Sequence, residues 1–281
     1  MIKKIGDLAI ESMLMEVSIT PKPGLVDRNN SGSHSDMNFF TFIKSISALR
    51  SYFENFALIG YENSGDLKTS WPALRALGIE AENKMFKATN GINTHKGEIF
   101  SLGLLSACAG KIYFETEKFN VIKILDLVKN ICEGLCDRDF KGVEAKKILT
   151  KGERAYLNYG IKGVRGEAEA GYPIVLECLG IFKNLLSREF DLKLNLNDAL
   201  AMTLLKVIAL NNDSNIISRH DIKILNYAKS SAEKIFNELQ NNFDVNLIYA
   251  LDQDFISRNI SPSGSADLLA VIYFMYALEN L

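Results

Sequence analysis

Apolar residues recur along the chain at intervals of three and four, the period that lines one face of an α-helix. Ile5, Leu8, Ala9, Ser12, Met13 and Glu16 follow this spacing and predict a first helix with a mostly apolar stripe, which Thr20-Pro21 should stop. Phe39, Phe42, Ile43, Ile46, Leu49, Phe53 and Phe56 outline a second. Ser70 before Trp71-Pro72 reads as an N-cap with proline in the first turn, and Asn90-Gly91 as that helix's exit. Thr94 can cap a helix reaching residue 109, residues 121–135 make another, and Thr150 with Glu153 has capping-box spacing. Further helices are predicted over 168–186, 198–210, 222–239, 245–254 and 265–278.

Alternating, strand-like patterns are few and short, and Ile112-Tyr113-Phe114 is ambiguous by periodicity alone. No internal repeat or low-complexity tract interrupts the helical pattern. It predicts an all-α chain: a single helical domain over residues 1–281, about ten helices, with the site at the interhelical junctions. Residues 187–197 remain open to reading as a loop between two halves.

Composition adds mainly exclusions. At about 150 residues per domain, 281 residues make one large domain or two modest ones, and 47% hydrophobic content is ample for a core. Thirty-two basic against 34 acidic side chains leave a net charge of −2, so nucleic acid and anionic membrane are not expected partners. Any anion site must come from local clustering. The start, Met1-Ile2-Lys3-Lys4-Ile5-Gly6-Asp7, lacks a signal peptide's apolar run, and no stretch reaches the roughly 18 apolar residues of a membrane span. Four cysteines in a chain this long make no disulfide framework and read as core residues. The expected location is cytoplasmic.

Five junctions concentrate charged, amide and glycine residues. In the first, Thr20-Pro21-Lys22-Pro23-Gly24-Leu25-Val26-Asp27-Arg28 runs on through His34 to Asp36. Lys22 and Arg28 suit phosphate oxygens, while Asp27 and Asp36 suit a hard cation. The second, Asn93-Thr94-His95-Lys96-Gly97-Glu98, opens a helix whose free N–H groups and dipole favour an anion, with Lys96 as point charge. Taken alone, an ordinary cap reads as well, and the Walker A spacing is missing. The third spans 160–173, where Arg165 offers a bidentate fork and Glu167 and Glu169 could coordinate magnesium or take a proton. Acids at a helix start also satisfy the dipole. The fourth, Asn211-Asn212-Asp213-Ser214-Asn215 with Ser218-Arg219-His220-Asp221, pairs oxygen ligands with a cation. In the fifth, residues 261–267, Ser265 reads as an N-cap. His34, His95 and His220 all fall in these segments, yet none has the short pairing of a zinc site.

Taken together and in this order, the junctions resemble the triphosphoribosyl-dephospho-CoA synthase family. The resemblance rests on Glu16 with Thr20-Pro21-Lys22-Pro23-Gly24-Leu25-Val26-Asp27-Arg28, Gly32-Ser33-His34-Ser35-Asp36-Met37, and Asn93-Thr94-His95-Lys96-Gly97-Glu98-Ile99-Phe100. It continues in Gly163-Val164-Arg165-Gly166-Glu167-Ala168-Glu169-Ala170-Gly171-Tyr172-Pro173, Asp213-Ser214-Asn215 with Ser218-Arg219, and Ser261-Pro262 with Gly264-Ser265-Ala266-Asp267. The chain departs from the family at His220-Asp221, where glycines are common, at Ser263, usually glycine, and at Ser214, usually threonine.

The resemblance implies an all-α fold and transfer of the triphosphoribosyl group of ATP to the 2′-hydroxyl of 3′-dephospho-CoA, with adenine leaving. The product would be the prosthetic-group precursor for the acyl carrier protein of citrate lyase or malonate decarboxylase, passed on to a carrier-protein transferase; a homodimer is an admissible assembly. Lys22, Arg28, Lys96, Arg165 and Arg219 are then expected on phosphate, with His34, Asn93, His95 and Ser265 also binding substrate. Asp36, Asp27, Glu98 and Glu167 are expected in catalysis, Asp36 first as base, and Asp27, Glu167, Glu169 and Asp213 on Mg²⁺. Two rivals use the same residues: an all-helical magnesium-dependent nucleotide hydrolase and a non-catalytic nucleotide- or CoA-binding module. The many carboxylates in the junctions count against the module.

Overall fold

The computed structural model describes residues 1–187 and 194–281, and among these the secondary structure is helical throughout, with no strand. Helix α1 (Ile2–Ser18) ends where Ile19 turns extended before Pro21. A reciprocal Asn38/Thr41 capping box opens α2 (Phe39–Glu62), and Pro72 sits in the first turn of α3 (Trp71–Ala88). Ser70 precedes α3 as expected, but its hydroxyl accepts from Asn63 Nδ2 at 2.8 Å and caps nothing.

Helix α4 (Lys96–Thr116) departs from expectation at both ends. His95, not Thr94, holds the N-cap position, and Thr94 Oγ1 donates to Ser45 Oγ at 2.8 Å instead. The helix also runs beyond residue 109 through Ile112-Tyr113-Phe114, stopping at Glu117, whose φ of +54° is left-handed. The expected helix over 121–135 divides into α5 (Val121–Ile131) and α6 (Leu135–Phe140), parted by Gly134 at φ +68°. The Thr150/Glu153 capping box forms and opens α7 (Lys151–Tyr159). The helix expected over 168–186 is also two, α8 (Gly163–Ala170) and α9 (Pro173–Ser187). Gly171 and Tyr172 take φ of +82° and +56°, and Pro173 cannot continue the preceding turn.

Beyond the residues described, 188–193 carry most of the expected inter-half loop. Then come α10 (Leu196–Leu210), α11 (Ser214–Arg219), α12 (Ile222–Leu239), α13 (Val245–Ser257) and α14 (Ser263–Glu279). Helix α14 begins before Ser265, so that serine lies in its first turn and is not its cap.

Two helices are buried on nearly every face. Helix α4 is buried from Ser101 to Ile112, and α14 from Leu268 to Met275, the pattern of central helices and not of amphipathic surface ones. Helices α1, α2 and α3 pack on one side of α4, and α14 packs against α1, α4, α9 and α10. One apolar core therefore runs from Ile5 to Leu278. Small residues set the α2–α4 distance: a Cβ on Gly60 would stand 1.8 Å from Ala107 O, and one on Gly110 2.1 Å from Ala57 O. The four cysteines are free and buried. No helix among the described residues is long and apolar enough to cross a membrane.

Candidate active site

The first junction is no solvated loop, because residues 21–27 are buried throughout. A buried loop needs partners for its peptide groups, and three side chains supply them. Asp27 accepts from the N–H groups of Lys22, Asn29 and Asn30. Asp252 on α13 accepts from Gly24 N and from Asn30 Nδ2, both at 2.9 Å. Asn197, at the start of α10, accepts from Thr20 N and donates back to Thr20 O. Gly24, at φ +70°, presses so closely on Ile260 that a Cβ would stand 2.1 Å from its carbonyl oxygen. These restraints aim Lys22 inward.

All five junctions meet around one cavity of about 590 Å³, within the range of small-molecule sites. At its inner end Glu16, Lys22, Glu98 and Asp267 come together from α1, the first loop, α4 and α14. Lys22, 1% exposed, pairs its ammonium with Glu16 Oε1. Burial, with the charges of Glu16 and Asp267, pushes the Glu98 carboxyl well above the usual carboxylate range. Burial, with Glu16 and Asp213, does the same to Asp267. Glu16 Oε2 and Glu98 Oε2 are buried and have no hydrogen-bond partner. Asp267 lies over the first turn of α4, in space left by the missing side chain of Gly97.

Cations line the same cavity. Arg219 Nη1 donates to Ser33 O at 3.0 Å and to Asn259 Oδ1 at 3.2 Å, while its Nη2 lies 3.2 Å from His34 Nδ1. His34 Nε2 is 2.9 Å from Ser261 Oγ, and Asp36 Oδ1 is 3.7 Å from His34 Nδ1. Arg165 reaches the cavity from α8, its Nε bonded to Asp139 Oδ2 at 2.7 Å. Lys96 pairs with Glu82 at 2.8 Å, and Asn93 Oδ1 accepts from Lys96 N. Glu167 faces the same space; burial raises its carboxyl, and it accepts from Ile174 N at 3.3 Å.

Nine of the residues singled out from the sequence line this cavity: Lys22, His34, Asp36, Asn93, Lys96, Glu98, Arg165, Glu167 and Arg219. Six do not. Asp27 holds the first loop, and exposed Arg28 donates to Asn197 Oδ1 at 3.5 Å. Glu169 accepts from Cys136 N and pairs with Lys162. Asp213 caps α11 and accepts from both Ser265 N and Ser265 Oγ, which places these two behind the wall. His95 is buried with its Nδ1 on Ser45 Oγ at 2.7 Å and its ring edge-on to Phe42. Burial, then the nearby Lys22 charge, lowers it to about 3, so it is neutral. Among the described residues no group of three or more His, Cys, Asp or Glu side chains is arranged to hold a metal ion by itself.

Glu16 and Asp267 were absent from the expected site residues, although both lie in the family-like blocks. Glu16 had a signal: a glutamate inside the apolar stripe of α1 must be buried, and a buried carboxylate needs a partner.

With this geometry in hand, the chain's likeness to known proteins is decisive. Residues 2–281 match the model of the ATP:dephospho-CoA triphosphoribosyl transferase family. The chain belongs to that family. It is 38% identical over 277 residues to the 2-(5''-triphosphoribosyl)-3'-dephosphocoenzyme-A synthase of Escherichia fergusonii, covering 97% of this chain and 90% of that protein. Proteins named as probable synthases of the same kind are also 38% identical. The one from Vibrio cholerae serotype O1 (strain M66-2) aligns over 99% of this chain and 88% of its own, and that of Citrobacter koseri over 98% and 90%. No solved structure matches the chain. Members of the family are transferases, and this chain is an all-α enzyme among them.

Proposed function

We propose that this cavity transfers the triphosphoribosyl group of ATP to the 2′-hydroxyl of 3′-dephospho-CoA and releases adenine. One juxtaposition carries the reading: the carboxylates Glu16, Glu98 and Asp267 beside Lys22, lining one cavity with Arg165 and Arg219. In the transfer the C1′–N9 bond of ATP breaks, and its electron pair leaves with adenine, which takes up a proton from a carboxyl group of the site. The new bond joins C1′ to the acceptor oxygen, whose proton passes to a carboxylate. Positive charge develops on the ribose, and fixed carboxylates in a water-poor site stabilise it far more than water would.

The triphosphate stays on the product, so Lys22, Lys96, Arg165 and Arg219 serve as a handle that sets position. Asp36 is assigned as the base for the acceptor hydroxyl, with Glu98 and Glu167 completing the acid–base set. Magnesium, when bound, neutralises triphosphate charge. The orphaned oxygens of Glu16 and Glu98 would supply its protein ligands, since Mg²⁺ needs only one or two carboxylates besides phosphates and water.

On this reading the chain acts as one domain over residues 1–281, alone or as a homodimer, in the cytoplasm. A carrier-protein transferase would consume the product for citrate lyase or malonate decarboxylase. Mass spectrometry after incubation with ATP, Mg²⁺ and dephospho-CoA tests the reaction. Adenine and the triphosphoribosyl product should appear only when the acceptor is present. Phosphate or pyrophosphate release would point to a hydrolase, and tight binding without product to a binding module.

A further inference from the structure

We infer that Phe42, Phe86 and Phe100 form the slot that grips the adenine base of ATP, the group that leaves. The inference rests on reading the cavity as the transferase site, and names the part of it that recognises the purine.

Three phenylalanines reach the cavity from three helices, Phe42 from α2, Phe86 from α3 and Phe100 from α4. Each is half-buried, packed on the core and also lining the cavity. Aromatic surface left open to a cleft is unfavourable until something flat and apolar covers it. Contacts around His95, at the N-cap of α4, bring these walls together. The Phe42 ring stands edge-on to the His95 ring with centroids 4.8 Å apart, and His95 N donates at 3.2 Å to Sδ of Met85, the neighbour of Phe86. One turn before Phe86, Glu82 pairs with Lys96, and one turn after Lys96 comes Phe100. Ser45 Oγ, 2.7 Å from His95 Nδ1, holds the imidazole, so the Phe42 ring has a fixed support. Bases stack on aromatic side chains through their π-faces, and rings held in place lose little freedom when one arrives.

Proximity to the carboxylates selects the base of ATP over that of the acceptor. Glu98 follows His95 by three residues, in the first turn of α4, and lines the same cavity. Lys22, paired with Glu16, lies near enough to His95 for its charge to act on the ring. A base that takes up a proton as it leaves must lie within reach of a carboxyl group. The acceptor's adenine keeps its bond to ribose and has no such need.

Calorimetric titration of ATP into acceptor-free enzyme, with inorganic tripolyphosphate titrated in parallel, tests this. Phe42→Leu and Phe86→Leu should each weaken ATP binding about tenfold and leave tripolyphosphate binding unchanged. Phe42→Tyr, which keeps a ring, should bind ATP more tightly than Phe42→Leu. Phe114→Leu, at an exposed ring outside the cavity lining, should match wild type. Unchanged ATP affinity in both leucine variants, or equal loss of ATP and tripolyphosphate, overturns the slot. So does a rise in KM for dephospho-CoA alone, which would give the three rings to the acceptor. Product formation by wild type with ATP affinity unchanged in the variants removes this inference alone. ATP binding as described without triphosphoribosyl product removes the proposed reaction and leaves an adenine slot standing.

Discussion

Gly97 and Asp267 interlock at the inner end of the cavity, where a Cβ on the glycine would stand 2.0 Å from Asp267 Oδ2. Gly97 lies in the first turn of α4 without a positive φ, so its missing side chain serves the carboxylate and not the backbone. Alanine there should gain up to about 1 kcal/mol of helix propensity, and the carboxylate, at the end of a short flexible side chain, can swing aside. Gly97→Ala is therefore expected to melt within a few degrees of wild type while adenine release falls about tenfold or more, the cost of misplacing a reacting-site group. Near-wild-type turnover would show that the position of Asp267 does not matter to the reaction.

Gly60 meets an obstacle that cannot swing. Its Cβ would fall 1.8 Å from a backbone oxygen, Ala107 O, deep between α2 and α4. The helices must part, opening the packing around Phe53 and Phe56 on α2. Overpacking of this kind costs about 1–3 kcal/mol or more, exceeding the propensity gain. Urea unfolding of Gly60→Ala should show a net loss of about 2 kcal/mol, opposite in sign to a propensity argument.

His95 makes stability depend on pH. Burial lowers its folded value to about 3 from an ordinary 6.5, so between those limits the unfolded chain binds a proton that the folded chain refuses. The His95 contribution is intact above 6.5 and drains away, at about 1.4 kcal/mol per pH unit, as the pH falls towards 3. Between pH 7.5 and 5.5 wild type should lose about 1.4 kcal/mol more than His95→Asn, measured by urea unfolding. Parallel losses in the two proteins would mean that His95 takes up a proton without unfolding.

Periodicity located most helices because each must bury a stripe; α1 stops just before Thr20-Pro21, and α3 runs from Trp71-Pro72 to just short of Asn90-Gly91. It failed where neighbouring structure decides. Residues 168–186 keep helical spacing across Gly171-Tyr172, yet a left-handed pair breaks the helix and aims Arg165 and Glu167 at the cavity. The junctions themselves were legible, but not the direction of each side chain. Asp27 and Asp36 share one loop and one chemistry; the first turns in to peptide groups, and the second lines the cavity. Which carboxylate does which depends on turns closed by partners as distant as Asn197 and Asp252.

Asp36 carries the assignment most open to mutation. Its side chain is 61% exposed, lines the cavity, and lies 3.7 Å from a His34 ring that Arg219 and Ser261 fix in place. Such a carboxylate can take a proton without first breaking an ion pair of the kind that holds Glu16. Asn preserves size and hydrogen bonding but cannot accept the acceptor's proton. Asp36→Asn should lower kcat about 100-fold or more, with KM for ATP and dephospho-CoA little altered, because the cations proposed to grip phosphate are untouched. A rise in KM at unchanged kcat would make Asp36 a binding group. Full turnover would hand the proton to Glu98 or Glu167, the other two carboxylates of the proposed acid–base set.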